Sequence, residues 1–219
     1  MADRRTYGDS CGIARALDRV GERWALLVVR ELALGPKRFT DLRGGLPGVA
    51  PDILAQRLRD LEAAAVVHRR RLPPPAAARV YELTEWGREL VPVLLALGRW
   101  GSRAPLPDRP RALSPDALAL ALETTFAPTV TPTAASYQLM LGEHAFRVTV
   151  DAFGIELTRG HASDPVFTLR TDPSTLSGLL WHGRSIGAAR RAGTLELEGD
   201  TADLARFLDL FSAPVPVAA

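Results

Sequence analysis

The chain has 219 residues, 47% of them hydrophobic, which is enough to fill more than one core. A single cysteine excludes an intramolecular disulfide, and no apolar run reaches the roughly 18 residues of a membrane span. Residues 1–103 carry 18 Lys and Arg against 12 Asp and Glu, whereas residues 104–219 carry 9 against 13. The first half therefore suits a polyanionic partner and the second does not. The start MADRRTYGDS lacks the apolar segment of a signal peptide, so we expect a cytoplasmic protein.

Apolar periodicity in the first half predicts helices in a recognisable order. Residues 14–20 keep a helical period, and WALLVVREL is apolar almost all round, so Gly21 is predicted to separate two helices. FTDLRGGL follows as a short helix that ends at Gly44 and Gly45. LPGVAP then turns into a helix that begins at Pro51. A short helix, a Gly-bearing turn and a second helix form a helix-turn-helix order.

The helix that begins at Pro51 has the pattern of a helix that reads DNA bases. Its apolar residues recur at helical spacing and are Ile53, Leu54, Leu58 and Leu61. The polar residues Asp52, Gln56 and Arg59 therefore point away from the core, with Arg57 at the boundary. Gln56 can pair with adenine and Arg57 or Arg59 with guanine, while Asp52 selects against some bases. Gln56 and Arg57 are the first candidates, because Asp60 and Glu62 can hold Arg59 in surface ion pairs.

A basic hairpin follows this helix. Residues 66–71 and 79–84 are compatible with strands, and the Pro-Ala tract between them is a loop, so they predict a β-hairpin wing. The arginines that can follow phosphates or enter the minor groove are Arg69, Arg70, Arg71 and Arg79. Phosphate contacts are also expected from residues at or near helix starts, namely Lys37, Arg38 and Thr40. The alternative is that these basic side chains form a solvated surface.

Residues 84–101 predict a long helix with a wide apolar face that seeks a partner helix. That face contains Trp86, Leu90, Val93, Leu94, Leu97 and Trp100. The prolines that follow indicate a linker. We therefore expect a domain at 1–101, a linker at 102–112 and a second domain at 113–219.

The second domain is predicted to combine helices with a sheet. Ser114 and Pro115 begin a helix, and residues 135–171 hold segments that predict an antiparallel sheet of about four strands. Two helices, one more strand (TLELEGD) and a closing helix (ADLARFLDLFSAP) follow. The predicted fold class is a mainly α winged helix-turn-helix domain plus a C-terminal α+β domain with an antiparallel sheet.

Catalytic chemistry has little support in this sequence. The four histidines, His68, His144, His161 and His182, have no metal-ligand spacing with one another or with Cys11, and no Gly-rich phosphate loop precedes a helix. Glu196 and Glu198 share a strand face, but nearby arginines favour surface ion pairing. We expect no enzyme activity, no catalytic residues, no metal and no cofactor.

Separated motifs along residues 8–101 occur in one order: Cys11, ALDRVGERWALLVVREL, GPKRFTDLRGGLPGVAPDILAQRLRDLE, RVYELTEWGREL and GRWG. Together they resemble the HxlR family of bacterial winged helix-turn-helix regulators, which are relatives of MarR. Two departures stand out. Ala50 lies where the family usually places a serine N-cap, and PPPAAA expands the wing tip.

This resemblance implies a homodimer on a double-stranded DNA operator with two-fold symmetry. The dimer would be built from the helix near residues 12–19 and the long helix 85–100, with Trp86 and Trp100 as anchors. Packing within one subunit is the alternative for both tryptophans. Some members of the family sense oxidants or electrophiles through a cysteine near the position of Cys11. The alternative for Cys11 is an inert, small hydrophobic residue.

The second half carries a looser resemblance. An apolar strand, a helix that starts at DP and the segment AARRAGTLELEGD are similar in order to the sterol-carrier-protein fold over residues 113–214. That fold implies an apolar cavity between sheet and helices, and hence a hydrophobic small-molecule effector. The candidate lining residues are Phe126, Tyr137, Leu139, Leu141, Phe153, Phe167, Leu180 and Trp181. In the alternative, these residues are ordinary core packing.

The sequence thus predicts a DNA-binding transcriptional regulator whose C-terminal domain binds a hydrophobic effector that modulates operator binding. Such a switch requires that the effector bind the DNA-bound and free forms with different affinity. One alternative is a regulator whose C-terminal domain only dimerises or docks a partner. Another is a lipid or sterol carrier with a vestigial winged helix.

Overall fold

The computed structural model describes residues 6–75, 77–108 and 110–217, and the chain divides into two compact units, Met1–Leu94 and Leu95–Ala219. The division falls within a helix, and not in the Pro-rich segment 102–112 that the sequence predicts as a linker. Residues 1–5, residue 76 of the wing loop, residue 109 of the predicted linker and residues 218–219 lie outside the described ranges.

The N-terminal unit begins with four helices, a hairpin and a further helical turn. The elements are α1 (Gly12–Val20), α2 (Ala25–Leu32), α3 (Phe39–Gly45), α4 (Pro51–Ala63), β1 (Val67–Arg71), β2 (Arg79–Leu83) and α5 (Glu85–Arg88), and α6 (Leu90–Gly101) starts within this unit. A Cβ at Gly21 would lie 2.5 Å from the Leu17 carbonyl oxygen, so only glycine fits the turn between α1 and α2. The predicted separation of two helices at Gly21 agrees with this geometry.

The single helix predicted over residues 84–101 is interrupted between α5 and α6. Proline has no N–H to donate, and its ring crowds the carbonyl four residues earlier. Pro92 therefore cannot bond the Arg88 carbonyl, and Arg88 is the residue at which α5 ends.

The core of the N-terminal unit lies between α2, α3, α4 and the hairpin. Its fully buried members include Val28, Val29, Leu32, Leu42, Leu54, Leu58, Leu61, Val67 and Leu83. In the antiparallel hairpin, Val67 lies opposite Leu83 at the base and Arg71 lies opposite Arg79 at the outer end. Lys37 adds a strand-like bridge, because its backbone exchanges hydrogen bonds of 3.0 and 2.8 Å with Tyr81. The predicted winged helix-turn-helix is confirmed.

The C-terminal unit combines five strands with helices. Its elements are α7 (Pro115–Thr125), β3 (Ala135–Leu141), β4 (His144–Asp151), β5 (Gly154–Arg159), β6 (Thr168–Thr171), α8 (Pro173–Trp181), α9 (Ile186–Arg191), β7 (Leu195–Glu198) and α10 (Thr201–Leu208). The predicted closing helix is shorter than expected. It ends at Leu208, and Phe211 instead forms a β-bridge with Phe126.

The sheet has the order β5-β4-β3-β6-β7 and is mixed, so the prediction of a wholly antiparallel sheet is wrong for one pair: β3 and β6 run parallel. The last residue of β5, Arg159, lies opposite Phe146 of β4, which in turn lies opposite Leu139 of β3. The first residue of β6, Thr168, pairs with Gln138, the neighbour of Leu139, so β5 ends and β6 begins at nearly the same level of the sheet. The connection therefore crosses β4 and β3 sideways, and β6 continues in the direction of β5. Buried Gln138 holds this crossing, since its Nε2 donates to the Phe146 carbonyl (3.1 Å) and its Oε1 accepts from the Ala162 N–H (2.7 Å).

The two faces of this sheet differ in character. One face is apolar and buried, with Leu139, Phe146, Val148, Leu157 and Leu169 in the core. Buried Asp116, in the first turn of α7, pairs with Arg159 of β5 on that face. The opposite face presents exposed charges from Arg147, Glu156, Arg170 and Glu196. The apolar face therefore lies in the core, whereas the charged face is exposed except where the crossing chain covers Gln138.

Glu123 of α7 is partly buried, and this burial raises the pKa of its carboxyl above the usual value, although a backbone hydrogen bond at Leu157 and the charge of Arg99 oppose the effect. A raised folded-state pKa gives stability that is present below the unfolded pKa and lost as pH rises through the folded pKa. We therefore expect Glu123→Gln to raise the melting temperature at pH 8, with the gain vanishing near pH 4. Thermal unfolding at both pH values measures this, and exposed Glu143→Gln is the control. A lower melting temperature for Glu123→Gln at pH 8 would contradict the expectation.

Candidate nucleic-acid interface

The outward side of α4 carries the candidate base-reading residues. Leu54, Leu58 and Leu61 are fully buried, which fixes the inward side of the helix. The exposed stripe on the other side includes Asp52, Ile53, Gln56, Arg59 and Ala63. The prediction that Ile53 belongs to the apolar core face is wrong, because Ile53 is 42% exposed. Each helical residue turns by about 100°, so Ile53 lies well away from the centre of the leucine stripe.

Arg57 lies closer to that leucine stripe than Ile53 does, and its side chain is only 12% exposed. Its guanidinium pairs with Asp60 at 3.0 Å and with Glu22 of the α1–α2 turn at 3.6 Å. Its Nε is buried without a hydrogen-bond partner in the described part of the chain. These contacts hold Arg57 along the helix surface and link α4 to the α1–α2 turn. The structure therefore reverses the predicted ranking and places Arg59 ahead of Arg57 as an outward-facing cation.

Gln56 lies at the centre of a surface hydrogen-bond network on α4. Its Nε2 donates to Asp60 at 2.9 Å, and its Oε1 accepts from the Arg59 guanidinium. Both bonds are accessible to water, where such bonds contribute little net free energy. Gln56 and Arg59 can therefore exchange these partners for base edges at small cost.

Lys37 does not occupy the phosphate-contacting position that the sequence predicts. It is 7% exposed, and its Nζ donates to Glu31 Oε2 at 2.6 Å, with Glu31 itself fully buried. Arg30 also pairs with Glu31, at 2.9 Å. The ammonium of Lys37 thus serves a buried ion pair beneath α3, and its backbone serves the bridge to Tyr81.

The start of α3 does present exposed polar groups. Arg38 is the N-cap residue, and its backbone N–H donates to the Asp41 carboxylate at 3.0 Å. The Thr40 hydroxyl lies in the first turn and donates to Asp41 at 3.2 Å. Arg43 is also exposed, in the last turn of α3, and was not predicted as a DNA contact. In the sequence, Arg43 directly precedes the glycine pair that ends α3, and this position at a helix end indicates an exposed side chain.

Acidic neighbours engage two of the four wing arginines. Arg69 donates to Glu62 of α4 at 2.8 Å, lies 5.1 Å from the centre of the Tyr81 ring, and has its pKa raised by the hydrogen bond to Glu62. Arg70 pairs with Glu82 on the neighbouring strand. Arg70 therefore links the two strands of the hairpin, and Arg69 links the hairpin to α4.

The other two wing arginines lie at the outer end of the hairpin. Arg71 and Arg79 are directly opposite each other and both are exposed. The Arg71 Nε donates to the Ala77 carbonyl at 3.3 Å, which is a bond to a neutral group. Like charges directly opposite on a strand pair are unfavourable. An anion placed between the two guanidinium groups would relieve that repulsion.

The α3–turn–α4 arrangement and the basic hairpin match known proteins over the same part of the chain. The profile of the HxlR-like helix-turn-helix family matches residues 19–107. An uncharacterised HTH-type transcriptional regulator of Synechocystis sp. is 38% identical over 95 residues, which cover 43% of this chain and 70% of that protein. The chain belongs to the HxlR-like helix-turn-helix family.

A second relative, the uncharacterised HTH-type transcriptional regulator YvaP of Bacillus subtilis, is 33% identical over 88 residues, which cover 40% of this chain and 82% of that protein. The reduced form of the transcriptional regulator YodB from B. subtilis is a solved structure with 32% identity and a TM-score of 0.39, covering 43% of this chain and 94% of that chain. As a member of the HxlR-like family, the chain is a helix-turn-helix transcription regulator. Within the described ranges, no helix has the length and apolar character needed to cross a bilayer.

The helices at which the family resemblance implies a dimer contact expose apolar side chains. α1 exposes Ile13 and Leu17, one helical turn apart. Trp86 of α5 is half exposed and closes a surface cleft of about 410 Å³ with Gly12, Arg15, Ala16, Asp18 and Arg19 of α1. α6 has no fully buried residue and exposes Val93, Leu97 and Trp100, the last by 77%.

Cys11 is exposed at the N-cap position of α1. Its backbone N–H donates to the Asp9 carboxylate at 2.9 Å, and its carbonyl accepts from the Arg15 N–H at 3.0 Å. The thiol is thus accessible from solvent, and redox sensing by Cys11 stays a prediction.

The candidate effector-binding residues of the C-terminal unit have diverse environments. Leu139, Leu141, Phe167 and Leu180 are buried in the core. Phe126, Tyr137 and Phe167 belong to an aromatic cluster completed by Phe207 and Phe211, with ring centres 4.8 to 6.0 Å apart. Trp181 is partly buried, and its Nε1 has no hydrogen-bond partner among the described residues. The prediction for Phe153 is wrong: it lies at the β4–β5 turn and is 97% exposed, so it cannot line an enclosed cavity.

Proposed function

We propose that this chain regulates transcription as a homodimer that binds a double-stranded DNA operator of two-fold symmetry. The observation that carries the proposal is the exposed stripe on α4, where Asp52, Gln56 and Arg59 point away from a fully buried leucine face. Side chains of these types pair with base edges in the major groove, which is wide enough for an α-helix. Because the stripe follows the turn after α3, α4 is the recognition helix of the proposal.

Phosphate contacts in this proposal come from groups around α4. Arg38 and Thr40 lie exposed at the start of α3, and the pair Arg71 and Arg79 lies exposed at the wing tip. In the proposal, these guanidinium and hydroxyl groups contact phosphates, and such contacts fix the register of a protein on DNA. Lys37 has no part in it, because its ammonium is buried against Glu31.

Dimerisation in this proposal uses α1, Trp86 and α6. The exposed apolar side chains Ile13, Leu17, Val93, Leu97 and Trp100 support it, since an apolar helix face of this kind seeks a partner. A symmetric dimer presents two recognition helices to successive turns of the major groove. For the C-terminal unit, binding of an apolar effector stays a prediction, as does the alternative of dimerisation or partner docking.

Selection of sequences from a random duplex library tests the proposal. We expect full-length wild-type protein to enrich a symmetric sequence and to bind it with two chains per duplex, as measured by sedimentation. Gln56→Ala and Arg59→Ala should each relax preference at one position per half-site, by about 1 to 3 kcal/mol for each lost pairing.

Arg57→Ala is the matched control on the same helix. Because Arg57 pairs with Glu22 and Asp60, its replacement should lower the free energy of unfolding and leave the selected sequence unchanged. The proposal fails if wild-type protein enriches no sequence. The assignment of the reading side chains fails if Arg57→Ala changes base preference while Gln56→Ala and Arg59→Ala do not.

A further inference from the structure

Ile53 is the large apolar side chain in the exposed stripe on α4. It is the third residue of the helix, directly after Asp52 and one helical turn before Gln56. A single exposed apolar residue on a protein surface is ordinary and carries no meaning by itself. The position of Ile53 is what gives it meaning, because the residues beside it are those that face DNA bases in the proposed function.

The chemistry of the major groove offers one apolar group to such a residue. Thymine presents a C5-methyl group there, and apolar side chains contact it, whereas the other three bases carry no methyl group. Isoleucine is branched at Cβ, and in a helix its χ1 is held almost entirely in one rotamer. Ile53 therefore offers a fixed apolar surface near the N-terminal end of α4, the end of a recognition helix that contacts base edges.

Geometry also places this contact relative to the base read by Gln56. Residues three apart on a helix have Cβ atoms about 5 to 6 Å apart, and successive base pairs rise by about 3.4 Å. Side chains at positions 53 and 56 can thus reach the same base pair or pairs one or two steps apart. The adenine that suits Gln56 is itself paired with thymine.

We infer that Ile53 is a specificity-determining residue that contacts the 5-methyl group of a thymine in each half-site, within two base pairs of the base read by Gln56. This inference rests on the proposed function. It assigns the operator half-site an A·T pair at a defined place, read through an apolar contact as well as through hydrogen bonds.

Replacing thymine by deoxyuridine removes the methyl group and leaves the Watson–Crick pairing and the hydrogen-bonding edge intact. Each thymine of the selected duplex is replaced in turn, and the dissociation constant of the full-length protein is measured by fluorescence anisotropy. At one symmetric position, deoxyuridine should weaken wild-type binding about four-fold per half-site, because one methyl group is no longer buried. Ile53→Ala should bind more weakly than wild type and lose its sensitivity to deoxyuridine at that position.

Two further variants keep the experiment interpretable. Gln56→Ala should keep the sensitivity to deoxyuridine, because it removes a different contact. Ile53→Val removes only one methylene and should retain most of the sensitivity to deoxyuridine. It serves as a second test in case Ile53→Ala has a folding defect. A duplex in which no thymine is sensitive for wild-type protein overturns the inference, as does a sensitive thymine that Ile53→Ala still distinguishes. In both cases sequence-selective binding remains, so the proposed function stands; if wild-type protein selects no sequence, both fall together.

Discussion

Replacing Lys37 with alanine should destabilise the N-terminal unit by about 3 kcal/mol, because it leaves the fully buried Glu31 carboxylate with fewer partners. The value lies at the lower end of the range for breaking a buried ion pair, since Arg30 still contacts Glu31 at 2.9 Å. The backbone bridge of residue 37 to Tyr81 does not depend on the side chain and is retained. Urea denaturation of the full-length protein, followed through the tryptophans, measures the change.

The double variant Glu31→Leu with Lys37→Met is the matched control for this expectation. It removes both charges, and a buried ion pair replaced by apolar residues of similar volume is often neutral or stabilising. The double variant should therefore recover most of the stability that Lys37→Ala loses. If Lys37→Ala kept wild-type stability and lost affinity for DNA, the buried pair would be unimportant and Lys37 would be a phosphate contact after all.

Arg71→Ala with Arg79→Ala should reduce the salt dependence of DNA binding more than any other pair of wing substitutions. Each phosphate contact contributes about −0.9 to the slope of log affinity against log salt concentration. Removing two contacts per chain, and so four per dimer, should make the slope shallower by about 3.6. The fall in affinity between about 50 and 200 mM salt should then be about 150-fold smaller than for wild type. Titrations with the selected duplex at several salt concentrations give both quantities.

Arg69→Ala with Arg70→Ala is the control for the wing tip, because it removes the same number of charges from the same hairpin. Glu62 and Glu82 hold these two arginines, so their removal should change the slope by much less and should lower stability instead. Equal slopes for the two double variants would show that pairing with acidic neighbours does not withhold Arg69 and Arg70 from phosphates.

The order of elements in the N-terminal unit was predictable because its signals are local. Gly21, Gly35 with Pro36, Gly44 with Gly45 and Pro51 mark helix boundaries in the sequence, and the structure has helix ends beside each of them. The leucine spacing of α4 also fixed which residues turn outward. The same spacing places Ile53 outward and Arg57 near the core, since each position follows from its angle to Leu54, Leu58 and Leu61.

The partners of the charged residues were not predictable in the same way. Lys37 lies in a Gly-Pro turn of a basic half, and no pattern in the sequence says that its ammonium meets Glu31 beneath α3. That contact depends on how α2, α3 and the wing pack together. The same holds for Arg69 and Arg70, whose acidic partners lie on a neighbouring helix and strand.

Strand direction in the C-terminal unit depends on long-range pairing as well. Alternating apolar residues identify β3, β4, β5 and β6 as strands, but alternation is the same in either direction. The parallel pairing of β3 with β6 follows from where β5 stops and from the way Gln138 holds the crossing chain at Ala162. In the sequence, the sign of that crossing is a polar residue, Gln138, within the β3 segment.

If α4 is the recognition helix, as we propose, its uncapped start should couple the order of the helix to DNA binding. Ala50 has no side-chain oxygen to accept a hydrogen bond, and Pro51 occupies the first helical position, so the amides of the first turn receive no side-chain cap from residue 50. An uncapped first turn frays more readily, and the partial positive charge there attracts an anion. A backbone phosphate can supply the cap that alanine lacks. Part of the free energy of binding would then go into ordering the first turn of α4. Amide hydrogen exchange near Asp52 and Ile53 then becomes a direct report of whether α4 is seated in the groove.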